Sequence, residues 1–160
     1  MKKRAILIDG NNLLFRSYYA TAYNGNLMKN SKGFPTNALF GFVNMLNKII
    51  NEEKPEYIMV AFDKEHNFRK DLCDTYKDGR IETPHDLKIQ FPEAKNICTL
   101  LGIKYIECDN YEADDIIGTF ARMADEDKNY NATIISSDKD LLQLISDEVD
   151  VKLLKQKDYI

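Results

Sequence analysis

Short apolar runs and helically spaced apolar residues alternate along most of this chain. Residues 4 to 10, RAILIDG, form an apolar run closed by Asp-Gly, the pattern of a strand buried on both faces and followed by a turn. NNLLFRSYYA then begins a helix, with Asn11 or Asn12 expected as its N-cap. Residues 22 to 36, AYNGNLMKNSKGFPT, carry two Gly and a Pro and read as a loop. From Asn37, the residues Leu39, Phe42, Val43, Leu46, Ile49 and Ile50 recur at helical spacing until Lys54-Pro55 stops them. YIMVAFD at 57 to 63 predicts a second buried strand, again ending in Asp.

Residues 64 to 83, KEHNFRKDLCDTYKDGRIET, break this rhythm: they are polar, charged and poorly periodic. A stretch of that length without a pattern, inside a compact domain, marks a functional or mobile segment. Beyond it, Ala94, Ile97, Cys98 and Leu101 fall on one stripe of a helix over 85 to 101, closed by Gly102. IKYIEC predicts a third strand, EADDIIGTFARMADE a helix, ATIISSD a fourth strand, KDLLQLI a helix and VDVKLL a fifth strand. The alternation predicts an α/β domain with a central, mostly parallel five-stranded sheet and helices on both faces. No internal repeat or low-complexity segment interrupts it.

Composition narrows the setting. With 160 residues, 44% of them hydrophobic, there is material for one core without disulfides. Cys73, Cys98 and Cys108 are odd in number and widely spaced, which suggests neither a disulfide framework nor a zinc site and makes a reducing, cytoplasmic location the expectation. No apolar run reaches the length of a membrane span, and the N-terminal apolar stretch is too short for a signal sequence. A net charge of −4 opposes a simple basic nucleic-acid surface. That objection weakens if seven of the acids bind metal, since the remaining ones are then outnumbered by the 22 Lys and Arg.

The candidate chemistry begins at NYEADDIIG, residues 110 to 118, where Glu112, Asp114 and Asp115 fall within four residues. Acids suit a helix's first turn, but that explains one or two of them. Acids also stand at other strand ends: Asp9, Asp63, and Asp138 with Asp140. In open parallel sheets, ligands bind beyond the carboxyl ends of the strands, where the strand order reverses. Two unit charges 4 Å apart repel by roughly 4 kcal/mol at an effective dielectric near 20. Seven converging carboxylates must therefore take up protons or bind cations. Hard divalent ions with oxygen ligands suit them, and two Mg²⁺ or Mn²⁺ ions can serve phosphodiester hydrolysis. His66 and His85 stand alone and read as solvated. Any one of these acids could equally be a helix cap; their recurrence at successive strand ends is the stronger signal.

LIDGNNLLFR, FPTNALFGF, VAFD, FRK followed by YKDGR, NYEADDIIGT and SSDKDLLQL, in this order, resemble the 5′ nuclease family. That family includes the N-terminal domain of bacterial DNA polymerase I and stand-alone bacterial 5′-3′ exonucleases, relatives of flap endonucleases with a PIN-like, Rossmann-like sheet. The resemblance spans residues 1 to 160 as one catalytic domain and implies a helical arch at about 64 to 83. It implies that Asp9, Asp63, Glu112 and Asp114 hold an ion near the reacting phosphate, with Asp115 a ligand or standing behind the ligands. Asp138 and Asp140 match the ligands of a second ion. Lys77 and Arg80 match catalytic residues at the base of the arch that contact the scissile phosphate, and Arg69 and Tyr76 match contacts to the threaded strand. Glu65, Asp71, Asp74 and Asp78 keep open the reading of that segment as a solvated charged helix. Phe15 matches an aromatic that stacks on a base and is equally ordinary core, while Arg16 is either a phosphate contact or a surface residue.

Two departures from the family are visible. Ser137 stands where relatives often have Gly before the Asp, and the family's later GDxSDN stretch and helix-hairpin-helix segment have no counterpart, so that KQKDYI reads as an interrupted chain. The implied activity is metal-dependent 5′-3′ exonuclease and flap endonuclease action on DNA in replication and repair. The implied partners are a 5′ flap, nicked or branched duplex and a covalently linked DNA polymerase, with a monomeric protein and no membrane. Two alternatives stand beside it: a PIN-like ribonuclease, and a non-catalytic module that binds branched DNA.

Overall fold

β1 (Lys3–Asp9) runs through the middle of the sheet because both of its faces are apolar. Alternate side chains of a strand point to opposite faces, and Ile6, Leu7 and Ile8 are all buried. The computed structural model describes residues 2–22, 27–64, 83–155 and the backbone of 158–159. Among these, β1 is followed by α1 (Gly10–Thr21), α2 (Asn37–Glu53), β2 (Tyr57–Asp63), α3 (His85–Lys88), α4 (Gln90–Leu100) and β3 (Lys104–Cys108). Next come α5 (Ala113–Asp127), β4 (Tyr130–Ser136), a 3-10 helix (Lys139–Leu144), β5 (Val149–Lys155) and β6 (Asp158–Tyr159).

The strand order is β3-β2-β1-β4-β5-β6. β1 pairs in parallel with β2, Ile8 opposite Val60, and with β4, Ile8 opposite Ile135. β3 and β5 extend the sheet in parallel, giving the five expected strands, and the two-residue β6 adds an antiparallel edge. The chain moves outward from β1 to β3 and then returns to the other side of β1, so the order reverses between β1 and β4.

Two apolar clusters sandwich the sheet. Ile6, Ile8, Val60 and Phe62 pack with Leu13, Leu14, Phe42 and Leu46 of α1 and α2, and with Ala94 and Cys98 of α4. Leu7, Met59, Ala61 and Ile134 pack on the other side with Ile116, Ile117 and Ala121 of α5 and with Leu141. The expected helices on both faces are present.

Three local expectations are corrected. The predicted helix over 85 to 101 is split at Ile89, because Pro92 has no N–H to offer and its ring crowds the carbonyl four residues earlier, at Lys88. KDLLQLI forms a 3-10 helix rather than an α-helix. The α1 cap is Asp9, not Asn11 or Asn12. The helix starts at Gly10, two or three residues earlier than a cap at Asn11 or Asn12 would place it, so the last residue of β1 takes the cap position.

Candidate active site

Asp9 belongs at once to β1 and to α1. One carboxylate oxygen, Oδ1, accepts from the backbone N–H of Asn12 at 3.1 Å, and Oδ2 accepts from the Ser136 hydroxyl at 3.2 Å. The strand can turn directly into the helix only because residue 10 is glycine. A Cβ there would lie 2.6 Å from Phe62 Cε1 and 2.9 Å from the Ala61 carbonyl.

With Asp9 as the cap, the two asparagines that follow are released for other work. Asn11 Nδ2 donates to Asp63 Oδ2 at 3.1 Å, and the Asp63 N–H donates back to Asn11 Oδ1 at 2.9 Å. Asn12 Oδ1 accepts from both the backbone N–H and the hydroxyl of Ser137, each at 2.8 Å. Asp63 Oδ1 accepts from the Ala113 N–H at 2.5 Å, which ties the end of β2 to the start of α5.

At that helix start, Glu112 and Asp115 form a reciprocal capping box: Asp115 Oδ2 accepts from the Glu112 N–H at 2.9 Å, and the Glu112 side chain accepts from the Asp115 N–H. The helix-cap reading therefore accounts for these two acids. Asp114, between them, stands near enough to Asp9 for the two carboxyl groups to act on each other. Beyond β4, the Ser136 hydroxyl accepts from the Asp138 N–H at 3.1 Å, and Asp138 Oδ1 caps the 3-10 helix by accepting from the Asp140 N–H at 2.9 Å. Asp140 itself is exposed.

Burial and mutual charge link these groups. Burial pushes Asp9 up to about 7, helped by the charges of Asp114 and Asp63 and opposed by the Asn12 and Ser136 hydrogen bonds. Burial pushes Asp114 up to about 6, with the charges of Asp138, Asp63 and Glu112 adding to it. Five of the seven expected acids, Asp9, Asp63, Glu112, Asp114 and Asp138, thus act on one another. Glu112 is 8% exposed and Asp9 is 5% exposed.

Oxygen-only donors short of positive charge fit a hard divalent cation by chemistry. Among the described residues, however, no three His, Cys, Asp or Glu side chains stand in a metal-holding arrangement. Their oxygens are engaged with backbone N–H groups, with Asn11 and with the Ser136 hydroxyl, so binding an ion requires some of these bonds to be exchanged.

Phe15, Arg16, Tyr19 and Ala20 of α1, with Asn12 and Ser137, line an open hollow of about 450 Å³ beside the cluster. Phe15 is half-buried, its ring centroid 6.0 Å from that of Phe91 in an edge-on contact and 6.4 Å from that of Tyr19. It packs against the core, as one sequence reading has it, and also lines the hollow. Arg16 Nη2 is buried and finds no hydrogen-bond partner among the described residues. Lys77, Arg80, Arg69 and Tyr76, and nearly all of the expected arch, lie outside the described residues.

Sequence reasoning missed Asn11 and Asn12 as ties between strand ends, Ser136 as the bridge from Asp9 to Asp138, and Tyr19 as a wall of the hollow. The available signal was redundancy: once a strand-end Asp caps a helix, two following asparagines are not needed for that task.

Residues 4–160 match the family described as "5'-3' exonuclease, N-terminal resolvase-like domain". DNA polymerase I of Geobacillus stearothermophilus is 44% identical over 157 residues, covering 98% of this chain and 17% of that protein. The chain therefore spans less than a fifth of that relative's length. In structure it resembles T5 5′-exonuclease with bound divalent metal ions (zinc), at TM-score 0.69 and 19% identity, covering 99% of this chain and 58% of the other. It also resembles the bacteriophage T5 flap endonuclease in a pseudo-enzyme-product complex with DNA and metal ions, at TM-score 0.67 and 19% identity, covering 98% and 57%. At such identities the likeness is one of fold.

Proposed function

The chain belongs to the family of 5′-3′ exonuclease N-terminal, resolvase-like domains, and from that membership we propose that it is a divalent-metal-dependent 5′-3′ exonuclease and flap endonuclease acting on DNA. The observation that carries this reading is the set of five carboxylates from three strand ends and one helix start, where burial and neighbouring charge raise Asp9 to about 7 and Asp114 to about 6.

Asp9, Asp63, Glu112 and Asp114 would hold one ion, with Asp115 behind them, and Asp138 with Asp140 a second. Bound there, Mg²⁺ or Mn²⁺ supplies activation of water and neutralises charge on the reacting phosphate. The protein's own residues do the rest. Ser136 and Asn12 fix the Asp9 carboxylate, and Asn11 fixes Asp63. Arg16, on the wall of the hollow, would turn its guanidinium to a phosphate oxygen in a charge-assisted bond. Phe15 and Tyr19 give a base a surface to stack on. Lys77 and Arg80 would steady the scissile phosphate, and Arg69 and Tyr76 the single strand leading to it. The substrate is a 5′ flap, nicked or branched duplex. The working context is bacterial replication and repair in the cytoplasm, as a monomer joined to a polymerase. No helix among the described residues is long and apolar enough to cross a membrane.

The test is cleavage of a 5′-labelled flap with and without Mg²⁺. Asp63→Asn and Asp138→Asn should each remove Mg²⁺-dependent cleavage while circular dichroism stays unchanged; retained cleavage by either refutes the assignment. The engaged state of the carboxylates favours one rival, a DNA-binding module without catalysis. Two ions bound with turnover support the enzyme, whereas DNA binding with no product at saturating Mg²⁺ supports the module. Flapped DNA cut in preference to single-stranded RNA excludes a ribonuclease.

A further inference from the structure

Two consecutive asparagines open α1, and neither acts as its cap. Consecutive helical residues project about 100° apart, so side chains at 11 and 12 leave the helix toward different neighbours. β1 has β2 on one side and β4 on the other. Asn11 reaches the end of β2 and Asn12 the exit of β4.

We propose that Asn11 and Asn12 are the positioning residues of this site, each tying one flanking strand end to β1, so that Asp63 and Asp138 are held in fixed relation to Asp9. The inference rests on the metal reading above. It adds that cation affinity depends on two neutral amide side chains standing behind the carboxylates.

The two ties differ in chemistry. Asn11 uses both halves of its amide against one residue: its N–H₂ meets the Asp63 carboxylate, and its carbonyl meets the Asp63 N–H. Only a side chain with a donor and an acceptor at that length can do so, and a carboxylate in its place would repel Asp63. Asn12 uses its carbonyl alone, as acceptor for two Ser137 donors. An aspartate could replace it there. The Ser137 hydroxyl supplies one of those donors, so glycine at 137 would leave the tie with a single hydrogen bond. From Ser137 the chain runs directly to Asp138, and the Ser136 hydroxyl joins the Asp138 N–H to Asp9.

The experiment uses the 160-residue chain, with Mn²⁺ alone as the calorimetric probe and amide hydrogen exchange followed by NMR. Removing a group that orients a metal ligand weakens metal affinity by about tenfold or more. Asn11→Ala and Asn11→Asp should both do so and should speed exchange of the Asp63 amide, while the amides of Ile6 and Ile134 stay protected. Asn12→Ala should expose the Ser137 amide and weaken Mn²⁺. Asn12→Asp should leave the Ser137 amide protected and Mn²⁺ binding no weaker than in the parent. In an Asp63→Asn background, Asn11→Ala should add no further loss of affinity.

Equal behaviour of the two Asp variants, unchanged Mn²⁺ affinity in both Ala variants, or a full additional loss in the Asp63→Asn background would overturn the inference while leaving the metal reading standing. A parent chain that binds no Mn²⁺ at all overturns the metal reading and this inference with it.

Discussion

A single carboxyl group, that of Asp9, joins strand end, helix cap and acidic cluster, and its protonation reports the state of all three. An unfolded Asp holds its proton up to about 3.8, whereas folding raises Asp9 to about 7 through burial and the charges of Asp114 and Asp63. The protonated form is the one the fold favours. Its contribution to stability is complete below about pH 4 and is lost as pH rises through 7. A cation at the cluster replaces the proton, so we expect the melting temperature in EDTA to fall from pH 5 to 8 and the fall to be smaller in Mg²⁺. Parallel slopes in the two buffers would refute this. The next residue gives a second expectation. Gly10→Ala forces a Cβ against Phe62 and the Ala61 backbone, and such overpacking costs about 2 kcal/mol, to be measured by urea unfolding. Both residues are plain in the sequence as Asp-Gly after an apolar run. Their contacts were not, because sequence spacing places a group at an edge without giving its direction. Glu112 and Asp115 illustrate the limit: they lie at the expected edge, yet bond to each other's backbone.

Among the elements, α2 shows how far periodicity reaches. Its apolar stripe gave both ends, Asn37 and Lys54-Pro55, close to the observed Asn37–Glu53. The source of its N-terminal cap could not be read locally, since Thr36 makes no side-chain cap bond. The cap comes instead from Gln90, at the start of α4. Gln90 Oε1 accepts from the N–H groups of Ala38 and Leu39 at 2.9 and 3.1 Å, and its Nε2 donates to Asn37 Oδ1 and to the Asp86 carbonyl. Asn37 Nδ2 in turn donates to the Tyr18 carbonyl and to Thr21 Oγ1, at the end of α1. Gln90→Leu should leave buried donors unpaired and cost about 2 kcal/mol, read as a lower urea midpoint with unchanged slope. A long-range cap of this kind leaves no mark within the helix it serves. The break at Ile89 did leave one, in Pro92, which the apolar stripe over 85 to 101 concealed.

Across the whole molecule, the strand pattern was legible because each buried strand is a compact apolar run, and the site's edge was legible because acids recur at the strand ends. The opposite edge carries a tie that no pattern announces. Glu53, at the end of α2, pairs with Arg4 of β1 and Lys152 of β5, and its side chain is 6% exposed. Arg4 also donates to Thr133 Oγ1, whose hydroxyl donates to Asp150 at 2.6 Å. Glu53→Gln removes the charge that two cations share and should cost about 2 kcal/mol; a melting temperature equal to the parent's would show the network to be idle. The ion pairs join residues about fifty and a hundred positions apart in the chain, which is why composition alone says nothing of them.

The sheet order has a consequence for synthesis. β1 is made first, and its partner β4 begins only at Tyr130. On a ribosome, Asp9, Asp63 and Asp114 emerge well before Ser136 and Asp138. The pairing that joins them must close a loop running from Lys3 to Tyr130, a slow event compared with local helix formation. Asp138 and the Ser136 hydroxyl that joins it to Asp9 are therefore the last parts of the acidic cluster to be supplied, after β1, β2 and the start of α5 can already meet.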